Sequence, residues 1–196
     1  IVVAISYLRL EEREREQEAV TRDVEYAQQR LRLRLLERQE QLMRLAREIS
    51  NREIDRGEFL FQAESLIGQY PELMSISWVD ARRRVIATYA SPSAPAAQTR
   101  SADQVISTGE TDGSFELARD LRQPIYSRPL PGEMGQSILM LQVPLSEQGR
   151  FGGVVMGEYL VDGLLRFGIP PEVMARYAVA LLDDRQKVLA GSLQQT

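Results

Sequence analysis

From Leu10 to Arg52 apolar residues return at intervals of three, four or seven, at Val20, Val24, Ala27, Leu31, Leu35, Leu42, Leu45 and Ile49, with Glu, Arg and Gln between them. This period puts the apolar side chains on one narrow stripe of an α-helix. No Pro or Gly interrupts the segment, and Glu and Arg three or four apart support the exposed side. The predicted rod is about 60 Å long. Asn51, Asp55 and Gly57 end the pattern. A second helix is predicted from Glu58 to Gln69, with Phe59, Leu60, Ala63, Leu66 and Ile67 on its buried side, and it closes at Pro71, whose ring cannot continue it.

After Pro71 the period becomes strand-like. Ser75 to Val79 and Arg84 to Ala90 read as a hairpin around the turn Asp80 to Arg83. Ser91 to Arg100, rich in Ser, Pro and Ala, reads as a loop without an apolar anchor. Ser101 and Gln104 have capping-box spacing for a short helix ending near Thr108 and Gly109, and Phe115 to Arg122 fits another turn or two. Strands are predicted at Pro124 to Arg128, Gln136 to Leu145 and Phe151 to Val161. Helical structure resumes at Asp162 and again at Pro170 and Pro171, since Pro is tolerated in a first turn. The result is an α+β module with about five antiparallel strands, an ordinary sheet size.

One pattern occurs twice. Trp78 to Ala87 reads Trp-Val-Asp-Ala-Arg-Arg-Arg-Val-Ile-Ala, and Leu181 to Ala190 reads Leu-Leu-Asp-Asp-Arg-Gln-Lys-Val-Leu-Ala. Asp80 maps onto Asp183. A hairpin repeated at domain-sized spacing points to tandem copies of one module, and coincidence between two common hairpins is the competing reading.

Ile1 to Leu8 is apolar and stops abruptly at Arg9. At eight residues it is shorter than the roughly 20 a span needs. It is read as the exit end of a transmembrane helix, with Tyr7 at the interface; the alternative is a helix that starts with a buried turn. The expected division is residues 1–9 as the end of a membrane span, 10–58 as the charged helix and connector, 59–176 as the sheet module, and 177–196 as the opening hairpin of a second module or extra strands of the first sheet.

Composition then excludes chemistry. The 196 residues contain no Cys and no His, which removes disulfides, thiolate or imidazole metal sites, a Ser-His-Asp triad and a phosphoacceptor His. A balance of 24 basic against 28 acidic residues lacks the basic excess that phosphate binding needs, so no nucleic-acid partner is expected. No phosphate-binding glycine loop is present either. Neither a catalytic role for this segment, nor a metal, nor a cofactor is expected; Asp183 and Asp184 read as turn residues.

The order of elements resembles the PAS-like extracytoplasmic sensor domains of the Cache or PDC family. The likeness rests on Pro71 to Ala87, on Gln123 to Pro129 (Gln-Pro-Ile-Tyr-Ser-Arg-Pro) and on Phe151 to Tyr159 (Phe-Gly-Gly-Val-Val-Met-Gly-Glu-Tyr). The turn after Asp80 departs from it, with Arg where Gly is common, which is tolerable if Arg82 or Arg83 faces solvent. The resemblance implies a long N-terminal helix packed on a five-stranded antiparallel sheet. It also implies a periplasmic domain anchored in a bacterial inner membrane, homodimeric through the N-terminal helix, and part of a sensor histidine kinase.

A small-molecule sensor needs a few fixed polar groups among apolar walls. Tyr126 and Arg128 share one strand face by period two, and an Arg fork suits a carboxylate. Trp78 and Tyr89 are candidates for an aromatic wall. Gln142 and Glu158 stand out as polar residues in apolar strands, and Arg119 on the preceding helix is a further candidate. The ligand expected from this set is a carboxylate or an amino-acid-like molecule. Each residue also has a plainer role: the aromatics in the core, and Glu158 in a structural pair with Arg128. The alternative function is a structural or protein-interaction module that dimerises through its coiled-coil helix and takes no small ligand.

Overall fold

Helix α1 runs from Glu14 to Ser50 and lays its stripe against the rest of the chain, with Ala27, Leu31, Leu42, Leu45, Ala46 and Ile49 all buried. The structure, a computed structural model, describes residues 2–6 and 14–191. The stripe skips position 38, and there an arginine is buried among the leucines. Helix α2, Arg56–Gln69, starts where Asp55 accepts a hydrogen bond from the Glu58 backbone N–H at 2.9 Å, a side-chain cap that satisfies a free helical donor. It buries Phe59, Ala63 and Ile67.

The central sheet contains β2 (Leu73–Asp80), β3 (Val85–Ala90), β4 (Ile125–Tyr126), β5 (Leu130–Pro131), β6 (Ser137–Glu147) and β7 (Arg150–Leu160). Its order is β3-β2-β7-β6-β4, and β5 pairs with β6 further along the same edge. Every pairing is antiparallel. Six strands therefore fill five positions, because the edge strand expected at Pro124 to Arg128 is only two residues long and resumes after Pro129. The architecture is α+β, a long N-terminal helix packed on a PAS-like antiparallel sheet.

Two apolar clusters flank this sheet. The larger joins α1 and α2 to Ile76, Ala87, Leu139, Leu141, Val143, Val155 and Tyr159. The smaller, on the opposite face, joins Val79, Val85, Met140, Val154 and Met156 to Ile106, Phe115 and Ala118. The latter two belong to α4 (Ser114–Leu121), which follows the short α3 (Thr108–Thr111). Helices α5 (Val161–Gly168) and α6 (Pro171–Arg176) lead to a second sheet of order β1-β8-β9, formed by Val2–Ser6, Ala178–Leu182 and Val188–Gly191.

The repeated hairpin is repeated in its hydrogen bonds. Asp80 Oδ1 accepts from the Arg82 and Arg84 N–H groups at 2.8 and 2.9 Å; Asp183 Oδ1 accepts from those of Arg185 and Lys187, both at 2.8 Å. Arg83 and Gln186 hold the same left-handed position, with φ of 66° and 63°. The register slips between Trp78 and Val79 in one copy and between Leu181 and Leu182 in the other. The neighbouring strand matches too. Val2 and Val3 stand opposite Leu182 and Leu181, as Val154 and Val155 stand opposite Val79 and Trp78.

Two expectations need correction. Residues 2–6 are an extended strand rather than a helix end. No helix among the described residues is long and apolar enough to cross a membrane, and the switch to charge at Arg9 lies outside those residues. The capping-box pair at Ser101 does not start a helix. Gln104 does bond back to the Ser101 N–H at 3.1 Å, but Asp103 adopts a φ of 66° and the backbone turns onto the sheet edge, where Val85 N–H donates to Gln104 O and Ile106 N–H to Arg83 O. The turn after Asp80 meets its condition through Arg82, which is exposed, while Arg83 pairs with Glu116 and lies 4.5 Å over the Phe115 ring.

Candidate functional site

Alternation along the strands assigns each candidate residue to a face. Trp78, Tyr89 and Tyr126 belong to the helix side, packed against the larger cluster. Trp78 meets Phe59 edge-on, with ring centroids 5.7 Å apart. Tyr126 is half-buried, and desolvation pushes its phenol up to about 12, so it stays neutral. Tyr126 and Arg128 do line one cleft, of ≈ 430 Å³, which they share with Leu31, Arg32 and Leu35 of α1 and with Asp183. Arg119 is on neither face: it is exposed and pairs with its neighbour Asp120.

Gln142 and Glu158 lie on the other face, with no exposed surface. Ser75 stands opposite Glu158 on β2, and Met140 opposite it on β6. Above them the chain from the end of β3 to the first residue of α4 closes over the sheet and contributes Gln98, Arg100, Thr111 and Ser114, all buried. The outcome is a polar patch enclosed by protein, at the end of the small apolar cluster. Burial of this many polar groups is costly unless each is bonded.

The bonding is incomplete. Arg100 Nη1 donates to Glu158 Oε1 at 2.9 Å and to Ala97 O at 3.2 Å. Gln142 Nε2 donates to Ser114 Oγ at 3.3 Å, and Ser114 Oγ donates to Thr111 O at 2.6 Å. Ser75 Oγ, Gln98 Oε1, Arg100 Nε, Gln142 Oε1 and Glu158 Oε2 are buried with no hydrogen-bond partner among the described residues. Desolvation pushes the Glu158 carboxyl above the usual carboxylate range, against the charge of Arg100 and weak hydrogen bonding from the Ser75 and Gln98 side chains, which approach it without well-formed geometry. Orphaned polar atoms converging from three strands and a loop are what a ligand-binding patch requires.

The sequence reading found two members, Gln142 and Glu158, and paired Glu158 with the wrong arginine. It missed Ser75, Gln98, Arg100 and Ser114. Ser75 and Ser77 did carry a signal: they alternate with buried apolar residues in β2, so a polar face was legible there. Arg100 carried none, because its anchor is a charge rather than an apolar side chain.

On the helix side a second buried carboxylate has a different setting. Glu72 accepts from Arg34 Nε and Nη2 at 2.6 and 3.0 Å, and Arg38 Nε lies 3.4 Å from it. Arg38 stacks over Tyr70, 3.2 Å from the ring centroid. Desolvation pushes the Glu72 carboxyl upward, but the Arg34 hydrogen bonds, a backbone bond and the two guanidinium charges outweigh it and hold it below the usual range. This clamp fastens α1 to the start of β2.

No protein-family model matches the chain, and a search of curated proteins finds no match. Solved structures do. An extracellular ligand-binding receptor from Desulfohalobium retbaense aligns at a TM-score of 0.55 and 16% identity over 76% of this chain and 26% of its own. The ligand-binding domain of the Campylobacter jejuni chemoreceptor Tlp3, in complex with L-norvaline, aligns at 0.65 and 12% identity over 91% of this chain and 70% of its own. The extracellular domain of the putative histidine kinase mmHK1S-Z2 aligns at 0.53 and 11% identity, over 74% and 60%. The chain thus spans about a quarter of the first of these and six- to seven-tenths of the others. The fold is that of the Cache/PDC-like sensor domains.

Proposed function

We propose that this chain is the extracytoplasmic ligand-sensing region of a bacterial membrane receptor of the two-component histidine kinase type. The observation that carries the reading is the enclosed polar patch around Glu158, Gln142 and Arg100, on the sheet face away from α1, with five buried polar atoms that lack a well-formed hydrogen-bond partner among the described residues. A purely structural sheet gains nothing from leaving such atoms unpaired. A sensor does, because a ligand that satisfies them binds the folded state selectively. The likeness to Tlp3, crystallised with L-norvaline, supports a small amino-acid-like ligand, and the likeness to a kinase extracellular domain supports the receptor class.

The readout assigned to this region is a shift of α1 within a homodimer, with the domain in the periplasm and the receptor held in the inner membrane. Tyr26, Leu33 and Leu36 are exposed apolar residues on α1, a surface suited to a second copy of the helix. The cleft holding Tyr126 and Arg128 lies beside this helix and is read as part of the same moving joint.

Thermal unfolding with a metabolite panel tests the proposal. A ligand present at a hundred times its Kd adds about 2.7 kcal/mol, an easily read rise in Tm. Glu158→Gln should abolish the rise. If no compound shifts Tm while the chain still self-associates, the protein is an interaction module instead.

A further inference from the structure

The atoms left unpaired in the patch are unequal in kind. Gln98 Oε1, Gln142 Oε1 and Glu158 Oε2 can only accept hydrogen bonds, Ser75 Oγ can do either, and Arg100 Nε alone is an obligate donor. The direction of the Gln142 amide is fixed by its neighbour. Ser114 spends its single hydrogen on Thr111 O, so it must accept from Gln142, and the Gln142 carbonyl is the free end. Glu110 lies near enough for its negative charge to act on Glu158 in the same direction as burial. The patch is short of donors and of positive charge.

The cation now present comes from a weakly held piece of chain. Within residues 92–99 the backbone hydrogen bonds are local: Ala94 N–H to Ser91 O, Gln98 N–H to Pro95 O and Thr99 N–H to Ala96 O, and the Gln98 side chain is what reaches toward Glu158. Arg100 supplies the ion pair that carries this segment down to the sheet. Its guanidinium is buried with only one of its nitrogens bonded to the carboxylate, a poor use of a group built for two parallel bonds.

Building on the sensor reading above, we propose that Arg100 is the resident occupant of a cation seat on Glu158, and that the sensed molecule is a small amine or guanidine whose nitrogen displaces it. The incoming N–H groups bond Glu158 and Gln142, while Arg100 leaves with residues 92–100, Gln98 among them. Ligand arrival is thereby converted into movement of the segment that closes the patch. A carboxylate, the ligand expected from Arg128, has no matching donor set here.

Titration calorimetry and Tm with n-butylamine, methylguanidinium and butyrate, on the wild type, Arg100→Ala and Glu158→Gln, form the test. The amine or the guanidinium should bind the wild type, and Arg100→Ala should bind it at least tenfold more tightly because its competitor is gone. Glu158→Gln should not bind it. Hydrogen exchange of residues 92–100 in the wild type should speed up when the cation binds, a readout that survives even if Arg100→Ala fails to fold. Slower or unchanged exchange, or no gain in affinity in a folded Arg100→Ala, overturns the proposal. Binding of butyrate in place of the cations, lost in Glu158→Gln, would overturn this inference while leaving the sensor reading intact. Absence of binding by any of the three, followed by a silent metabolite panel, would remove both.

Discussion

Glu158 and Tyr159 are consecutive residues on β7, both without exposed surface, and they serve opposite faces of the sheet. Glu158 completes the polar patch beneath Arg100; Tyr159 packs among the α1 contacts, where the charges of Glu72 and Arg38 act on it. One peptide unit therefore separates the proposed ligand face from the clamp on the long helix. A shift of β7 that follows Glu158 must carry Tyr159 with it.

The two buried glutamates should respond to pH with opposite sign. The Glu72 carboxyl is held low, so its contribution is complete above the ordinary carboxylate pKa and is lost as pH falls through the lowered value. The Glu158 carboxyl is pushed up, so its contribution is complete below the ordinary value and is lost as pH rises through the raised one. Urea unfolding of the wild type, Glu72→Gln and Glu158→Gln from about pH 3 to pH 8 reads both slopes. Equal signs for the two difference curves would sink the assignment.

Glu72→Gln at neutral pH should cost roughly 3–5 kcal/mol, the usual loss when one partner of a buried pair is removed. Arg38 then remains buried beside Tyr70 with only the exposed Glu37 carboxylate, 3.3 Å from its Nη1, as a counter-charge. A Glu72→Gln protein within about 1 kcal/mol of the wild type would mean that the pair behaves as a solvent-exposed one.

Tyr159→Phe should change stability by less than about 1 kcal/mol, because the hydroxyl it removes is buried with no hydrogen-bond partner among the described residues. The ring contacts remain. A loss of several kcal/mol in chemical denaturation would reveal a bond to that hydroxyl.

Gly153→Ala should be far more damaging than Gly157→Ala. Gly153 has a φ of 113° and faces β2 so closely that a Cβ would lie 2.0 Å from Val79 O. Backbone cannot yield there, and strained φ alone costs about 1–3 kcal/mol. At Gly157 the nearest atom to an added Cβ is Leu42 Cδ1, at 2.7 Å, the end of a side chain that can rotate. Similar melting temperatures for the two variants would contradict this.

Asp80→Ala and Asp183→Ala should each remove two turn hydrogen bonds, at a cost of about 1–2 kcal/mol. Hydrogen exchange should locate each loss in its own hairpin. A global effect from Asp183→Ala equal to that of a core substitution would show the second hairpin to be integral to the first module.

Periodicity made α1, α2 and the hairpins legible, since each buries one face and writes that face into the sequence. The capping-box pair misled because its local bond does form, while backbone pairing of the segment with Arg83 and Val85 decides the conformation. Residues 2–6 misled because an apolar run has no period to separate strand from helix. Among site residues, polar positions inside apolar strands identified Gln142 and Glu158, whereas aromatic residues were drawn to the packed helix side. Arg100 lay beyond pattern reading: nothing in a Ser-Pro-Ala loop states which carboxylate its arginine will meet 58 residues later.

The two hairpins share a turn held by one carboxylate oxygen and by backbone, so the side chain of the left-handed residue takes no part in holding it and can be any that tolerates a positive φ. In the first copy that residue is Arg83, engaged with Glu116 and Phe115; in the second it is Gln186, exposed. The duplicated part of the turn is thus a bracket, and position 83 or 186 is the fitting mounted on it. Substitution at that fitting leaves the bracket's hydrogen bonds in place, and Arg83 ties the first turn to α4, whose first residue Ser114 bonds Gln142 in the polar patch, while Gln186 holds the second turn's fitting in the open.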